Sequence, residues 1–430
     1  MKKKQNSALS SDGPSYDDNF LGIPALAPDP AGSVRAVDRW LTRTLLSLIG
    51  NPPVSFVLWN GESVTPDNVS PAEKLLIRNR KALLMLLLNP EFNFGDLYCN
   101  SQLEVVGSLP DFLQRVYLAR VQARNNPAPR LLTLFNDYCR RGNSIRDSRQ
   151  NIHHHYDIGN EFYRLWLDRE AMQYTCAYFP DPAMTLEQAQ TAKLHHVCRK
   201  LQLGPGQSVV EAGCGWGGLA HFMAREYGVN VTACNISHEQ ITYAREMANK
   251  QGLANRVTFV EDDYRNITGK YDVFVSVGML EHVGTDNYQA LGRLIDRCLD
   301  KKYGRGLIHT IGRNRPTPMN AWIEARIFPG GHPPSLSQMM EIFESVPFSV
   351  VDVENLRLHY AKTLQHWLQR YEENVEVVTG MYDAIFARAW RLYLSGSEAA
   401  FTSGQMQLFQ VLFTRPLNNK LPWSRVHLYK

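Results

Sequence analysis

A run of strand-forming residues, Val209-Val210, ends in Glu211 and passes through Ala212 into Gly213-Cys214-Gly215-Trp216-Gly217-Gly218, after which the apolar spacing of a helix begins. Glycines let the backbone adopt positive φ and admit a ligand close to the main chain. Two ligand chemistries use such a turn. The dinucleotide fingerprint, G-x-G-x-x-G, brings the backbone up to a pyrophosphate. Here Gly213, Gly215 and Gly217 alternate, and Glu211 stands two residues before the first of them. That acid would repel a pyrophosphate and suits a cation such as the amino group of S-adenosylmethionine. The pattern favours a methyl-donor site over a nicotinamide site or a purely structural turn.

Two further polar residues stand where a sheet would gather them. Glu281 follows a predicted strand at Tyr271–Val277, and His309 lies near the end of another at Gly306–Thr310. Ligands of open α/β sheets sit beyond the carboxyl ends of the strands. Taken singly, a histidine is commonly a satisfied structural residue, and a cysteine such as Cys176 a small buried hydrophobe. The seven cysteines (Cys99, Cys139, Cys176, Cys198, Cys214, Cys234 and Cys298) are odd in number and contain no CxxC pair. Neither a disulfide framework nor a zinc site is expected, and no metal is assigned.

The elements that would position these groups alternate. Thr185-Leu186-Glu187-Gln188 is a capping box opening a helix to about Leu201. Strands are predicted at Ser208–Glu211, Val229–Ala233, Val257–Val260, Tyr271–Val277 and Gly306–Thr310, and helices at Gly217–Tyr227, His238–Gln251 and Tyr288–Leu299. This alternation predicts an α/β, doubly wound, mostly parallel sheet. Phe348–Val353 and Met406–Phe413 would add two late strands, with long helices between about 362 and 399.

Ahead of this unit, residues 1–33 are rich in Ser, Asp, Pro and Gly and read as a flexible N-terminal arm. Residues 34–139 read as a small α+β domain, with a helix at Val34–Ile49, a strand at Val54–Trp59 and an Asn60-Gly61 turn. Residues 140–150 are polar and basic, a linker to a catalytic domain at 151–430.

With 430 residues, 44% of them hydrophobic and 20% charged, the chain has the composition of a globular protein of two or three domains. The start carries lysines with no apolar run behind them, so no secretory signal is expected. The most apolar run, Ala82–Leu88, is far short of the roughly 20 residues that span a bilayer, and reads as a buried strand or helix. The net charge of +4 is concentrated in 113–150, where Arg115, Arg120, Arg124, Arg130, Arg140, Arg141, Arg146 and Arg149 face only Asp137 and Asp147. Such a segment is a solvated helix face or a surface for anionic headgroups. Without aromatic-interleaved basic motifs, lipid is the better functional reading, and no nucleic-acid partner is expected.

The motifs from about His154 to Arg415 resemble the cyclopropane-fatty-acid synthase family, which includes the mycolic acid cyclopropane synthases. In order they are His155-Tyr156-Asp157-Ile158-Gly159-Asn160, Met172-Gln173-Tyr174-Thr175-Cys176-Ala177-Tyr178, Glu211–Gly218, Ile236-Ser237-His238-Glu239-Gln240, Val277–Gly284, His309-Thr310-Ile311-Gly312, Ile327–Gly331 and His359–Leu364. The resemblance departs at Glu211, where many relatives have Asp, at Thr175, where Ser is common, and at Asn235, which replaces a frequent Thr.

The resemblance implies a class I S-adenosylmethionine-dependent methyltransferase sheet, Rossmann-like, with helical additions over a lipid pocket. It implies cofactor contacts from Tyr174, Thr175, Gly213, Gly215, Gly217 and Gln240, the last through the ribose hydroxyls. Asp262 or Asp263 would lie near adenine, and Tyr156 and Asp157 would belong to a lid. It implies a bicarbonate ion held by residues matching Cys176, Glu281, His309, Ile311 and Tyr360. The reaction implied is methylene transfer to the cis double bond of an unsaturated phospholipid acyl chain, giving a cyclopropane; a related enzyme would leave a methyl branch. Aromatic faces can stabilise the carbocation formed on the way, and Tyr174, Tyr178, Trp322 and Phe328 are candidates. The expected place of work is the cytoplasmic face of a membrane, reached by reversible surface association through the N-terminal domain and the basic segment. A homodimer is left open as the assembly. Among rivals, an N- or O-methyltransferase would not need the bicarbonate set, and a non-catalytic lipid binder would show an eroded turn or base site.

Overall fold

Short apolar runs separated by turn residues build a first sheet, and the computed structural model describes residues 21–26, 32–67, 71–123 and 158–429. The helix α1 (Ala36–Leu48) is followed by β1 (Ser55–Val57), β2 (Ser63–Val64) and β3 (Lys74–Ile77), then α2 (Arg80–Leu88), α3 (Pro90–Cys99), β4 (Leu103–Val106) and α4 (Leu109–Ala123). The strands pair in the order β2-β1-β3-β4. The Ala82–Leu88 run is a helix because Asn79 caps it, its side chain accepting from Ala82 N at 2.8 Å, while Asn89 ends it and caps the next.

This unit is not separately cored. One cluster of buried apolar side chains runs from Leu45, Phe56, Leu83 and Phe112 into Trp166, Trp367, Trp390 and Leu408. Gly95 lets α3 approach so closely that a Cβ there would meet the Trp322 indole at 2.3 Å. Trp322 Nε1 donates to Asp96 at 2.9 Å, and Arg326 pairs with the same carboxylate at 2.8 Å. The expectation of a loose arm to residue 33 fails at residues 21–26. Leu21 and Ile23 enter the core, and the Asn100 amide clamps Pro24 and Leu26 through their backbone. Two apolar side chains suffice to dock a segment whose average composition is polar.

A short helix α5 (Asn160–Arg164) leads to α6 (Leu186–Lys200), with the capping box at Thr185 and Gln188 as expected. Then β5 (Ser208–Ala212), α7 (Gly218–Tyr227), β6 (Asn230–Asn235), α8 (His238–Lys250), β7 (Val257–Glu261), β8 (Val273–Val277), α9 (Tyr288–Cys298) and β9 (Arg305–Gly312) alternate. Next come α10 (Ala321–Arg326), α11 (Leu336–Glu344), β10 (Ser349–Asn355), α12 (Arg357–Glu373), α13 (Val375–Met381), α14 (Ala384–Thr402) and β11 (Gln407–Thr414). The second sheet runs β10-β11-β9-β8-β5-β6-β7. Its β5 to β9 pairings are parallel, and β11 pairs antiparallel with both β9 and β10. The chain reverses direction across the sheet between β5 and β8, which is where such folds open a crevice.

Strand β8 begins two residues later than expected, because Tyr271 makes only an isolated bridge to Leu299. The late helices start earlier than expected and break at Tyr382, where Asp383 accepts from Phe386 N at 2.6 Å and caps α14. The 140–150 segment lies outside the described residues. Of the eight arginines, Arg115 and Arg120 are described, ion-paired with Glu73 and Glu91; the other six are outside. No described helix is long and apolar enough to cross a membrane.

Candidate active site

The glycine turn follows β5 with Gly213, Gly215 and Gly217 at φ of +79°, +54° and +80°. Their reasons differ. A Cβ on Gly213 would meet Met279 at 2.8 Å, and one on Gly217 would meet Phe259 at 2.7 Å. A Cβ on Gly215 meets nothing within 4 Å. Gly215 therefore faces open space rather than a packed neighbour, which is what close approach of a ligand to the backbone requires.

Glu211 is buried, and burial pushes its carboxyl up to about 8 against the opposing charge of Lys193. Its Oε2 has no hydrogen-bond partner. A buried carboxylate with an open oxygen beside an open glycine turn fits a cationic ligand, because such a group costs free energy until it is paired. On the neighbouring strand end, Asn235 Nδ2 donates to Gln240 Oε1 at 2.6 Å, which leaves Gln240 Nε2 buried and without a partner, a donor suited to ribose hydroxyls. The departure at Asn235 is thus the residue that orients Gln240. Asp263 is spent on a local cap, accepting from Arg265 N at 2.9 Å, while Asp262 accepts from the backbone of Asp263 and the Asn266 amide. Tyr156 lies outside the described residues.

Lys193 joins this region to the 172–176 segment and was not foreseen. Its fully buried ammonium donates to Gln173 Oε1 and, at 3.0 Å, to Thr175 Oγ1. Burial lowers its pKa to about 8, opposed by Asp168, Cys176 and Glu211. A signal existed. Gln190, Lys193, His196 and Lys200 recur at helical spacing on the buried side of α6, a polar stripe where apolar residues are the rule. Gly278 makes the matching space, since a Cβ there would meet the Thr175 methyl at 2.9 Å.

Glu281 sits in the turn after β8, and its Oε1 accepts from Ile311 N of β9 at 2.6 Å. Burial pushes this acid up to about 7, partly offset by the backbone donors. His309, two residues before Ile311 on β9, is fully buried, and desolvation first, then Lys193 and Lys200, hold its pKa well below the ordinary range. Gln410 Nε2 of β11 approaches His309 Nδ1 at 3.1 Å; with the amide donating, the imidazole proton resides on Nε2. Glu281 and His309 thus share one sheet edge, but no hydrogen bond joins them. Each instead carries an open buried atom, Glu281 Oε2 and His309 Nε2. That donor–acceptor pair fits a bicarbonate ion, which can both accept from the imidazole and share a proton with the raised acid.

Cys176 is buried with its thiol pKa pushed up by desolvation, so it offers no thiolate; its Sγ lies 3.1 Å from Ala177 O. Ala177 N donates to Thr363 Oγ1 at 3.0 Å, which ties this segment to α12, the helix carrying Tyr360.

The largest surprise is aromatic. Tyr174 lies 5.2 Å from Trp166, 5.4 Å from Tyr163 and 5.4 Å from Trp367, and its hydroxyl is 2.8 Å from that of Tyr393. Trp390 and Phe162 extend the cluster, with Tyr163 resting 5.0 Å from Trp216 of the glycine turn. Of the four aromatic candidates, Tyr174 belongs to this cluster and Phe328 joins it through Tyr393 at 5.4 Å. Trp322 instead anchors the N-terminal unit, and Tyr178 stacks between His196 and His359.

A doubly wound sheet with an acid-and-glycine turn at its switch point is a class I S-adenosylmethionine-dependent methyltransferase. Residues 143–411 match the family model of mycolic acid cyclopropane synthetase, and the chain belongs to that family. It is 35% identical over 393 residues to a probable fatty acid methyltransferase of Pseudomonas putida, covering 88% of this chain and 96% of that protein. It is 42% identical over 273 residues to the cyclopropane-fatty-acyl-phospholipid synthase of Escherichia coli K12, covering 63% and 69%. The solved mycolic acid cyclopropane synthase CmaA1, complexed with SAH and CTAB, superposes with a TM-score of 0.59 at 30% identity, covering 62% of this chain and 98% of that one. Coclaurine N-methyltransferase, at 23% identity and a TM-score of 0.61, shares the fold.

Proposed function

We propose that the protein is a cyclopropane-fatty-acyl-phospholipid synthase, adding a methylene to the cis double bond of an unsaturated phospholipid acyl chain at the cytoplasmic face of a membrane. The observation that carries this reading is the pair of open buried atoms, Glu281 Oε2 and His309 Nε2, at the sheet edge that also carries the glycine turn. Transfer to an amine or hydroxyl would not require a second, buried proton-handling site.

S-adenosylmethionine, held by Glu211, the Gly213–Gly217 backbone, Thr175 and Gln240, supplies an electrophilic methyl group. An isolated alkene is a weak nucleophile, so the protein must bring it into attack geometry and exclude water. Tyr174, Tyr163, Trp166 and Trp367 present aromatic faces beside the turn, suited to an acyl chain and to positive charge developing on its carbons. Ring closure forms the second carbon–carbon bond as the added methyl loses a proton, which needs an acceptor within hydrogen-bond reach. Glu281 and His309 would hold bicarbonate as that acceptor, with the Ile311 backbone and Gln410 fixing their orientation.

The test is mass spectrometry of unsaturated phospholipid incubated with the protein and methyl-labelled cofactor. A gain of one CH2 with retention of unsaturation equivalents and loss of the alkene signal is expected. A methyl branch, or label in the headgroup, overturns the reading.

A further inference from the structure

Helix α1 buries Leu45 and Leu46 in the core, yet it also leaves large apolar side chains on its outer face. It buries Asp38 and Thr42 completely, while Val37, Trp40 and Leu48 are 50%, 63% and 48% exposed. Positions 37, 40, 44 and 48 fall on one stripe of a helix with 3.6 residues per turn. The buried Asp38 is not a stray, since Arg80 holds it bidentately with both contacts at 2.7 Å. Helix α2, packed beside α1, repeats the pattern with Leu84 and Leu88 at 44% and 77% exposed. Apolar side chains on adjacent helices that face solvent together mark an interaction surface.

The charges around this surface are mostly basic, and Glu62, the acid beside Arg39 and Arg43, is held by Arg39. Arg35, Arg43 and Lys81 are exposed and, among the described residues, form no ion pair. Asp38 is the single acid of the two helices, and Arg80 neutralises it. We infer that the exposed faces of α1 and α2 dock on an anionic lipid bilayer, with Trp40, Leu48, Leu84 and Leu88 entering the headgroup boundary and Arg35, Arg43 and Lys81 meeting lipid phosphates. This rests on the phospholipid reading above and names the surface that would deliver it. Trp at the headgroup level and basic residues beside a leucine face are what an interface of this kind uses. A second copy is the poorer occupant: two-fold pairing sets each patch against its own cations, while the neighbouring acids Asp38 and Glu62 are already held by Arg80 and Arg39. The patch also has a route inward, for α2 packs on α3, and α3 on α14, the helix carrying Trp390 and Tyr393.

The experiment measures partition of the full chain onto vesicles of phosphatidylethanolamine and phosphatidylglycerol, alongside methyl transfer to the same lipids dispersed in detergent. A Trp40→Ser/Leu88→Ser variant should lose about tenfold or more in vesicle partition. Arg43→Gln/Lys81→Gln should lose roughly fivefold per residue, and wild-type binding should fall as salt rises. All these side chains are exposed, so detergent activity and melting temperature should stay at the wild-type value. Wild-type partition by both variants overturns the proposal, as does a dimer in sedimentation that Trp40→Ser/Leu88→Ser dissociates. Loss of activity by wild type in detergent would instead sink the phospholipid reading, so the two failures are told apart.

Discussion

The two ends of the proposed active site are built on different plans. Around β5 the cofactor end is made of backbone and a few polar atoms contiguous in sequence: Glu211, the Gly213–Gly217 turn and, one strand over, Asn235 with Gln240. The acceptor end is made of side chains drawn from distant segments, with Tyr174 against Trp166, Trp367 and Tyr393, and Glu281 against Ile311. A ligand common to many enzymes can be held by a local motif. A greasy, variable substrate needs walls, and walls come from tertiary packing. The two ends should fail differently when mutated.

The largest effect is expected at the acceptor end. Glu281→Gln keeps the size and removes the ionisable group, and a positioned proton acceptor contributes about 10²–10⁴-fold. Turnover should fall by about that factor while calorimetry shows unchanged cofactor affinity, and the dependence of rate on added bicarbonate should be blunted. Wild-type turnover in this variant would erase the distinction between the ends. Next comes Gly215→Val. It places a β-branched residue at a φ of +54° and fills the open side of the turn, so cofactor affinity should fall by about tenfold or more in a folded protein. Unchanged affinity would remove the turn from the binding site.

A smaller effect sharpens the electrostatics. Burial raises the Glu211 pKa to about 8, so the free protein holds this acid largely neutral at pH 7, and a cationic ligand favours the ionised form. Binding at pH 7 should therefore release a proton and tighten as pH climbs toward 8. Calorimetry in buffers of different ionisation enthalpy reads this directly, and Glu211→Gln should abolish the release. The same raised pKa means the free protein loses stability as pH rises from about 4.5 through about 8, since the unfolded chain ionises first. The smallest effect belongs to Tyr393→Phe, which removes the 2.8 Å hydroxyl partner of Tyr174. A loss of about 1 kcal/mol in unfolding free energy is expected, with cofactor affinity intact.

The same contrast governs what could be read from the sequence. The sheet was legible because its strands are apolar runs between glycine and capping signals, and each expected strand from Ser208 to Phe413 is present within a few residues. The turn was legible because its residues are neighbours. Glu281 and His309 were placed by their strand ends, and the structure brings them to one edge. The aromatic cluster was not legible: Phe386, Trp390 and Tyr393 read only as one face of a helix, and nothing in Trp166 or Tyr163 says that they will meet it. Lys193 was hidden for the opposite reason, since a lysine in an amphipathic helix is ordinarily solvated.

The seam at Gly95 has a consequence for how this architecture can be altered. CmaA1 is matched over 98% of its length by 62% of this chain, whereas here the half that carries the seven-stranded sheet packs against the unit of the first sheet. Here that half is keyed to its neighbour: Trp322 occupies the room that Gly95 leaves, Arg388 lies 4.2 Å over the Tyr98 ring, and the Tyr117 hydroxyl rests 3.5 Å from where a Gly396 side chain would begin. Grafting a foreign leading domain onto this scaffold would require rewriting α14 as well, so the two halves are heritable as a matched lock and key, not as interchangeable modules.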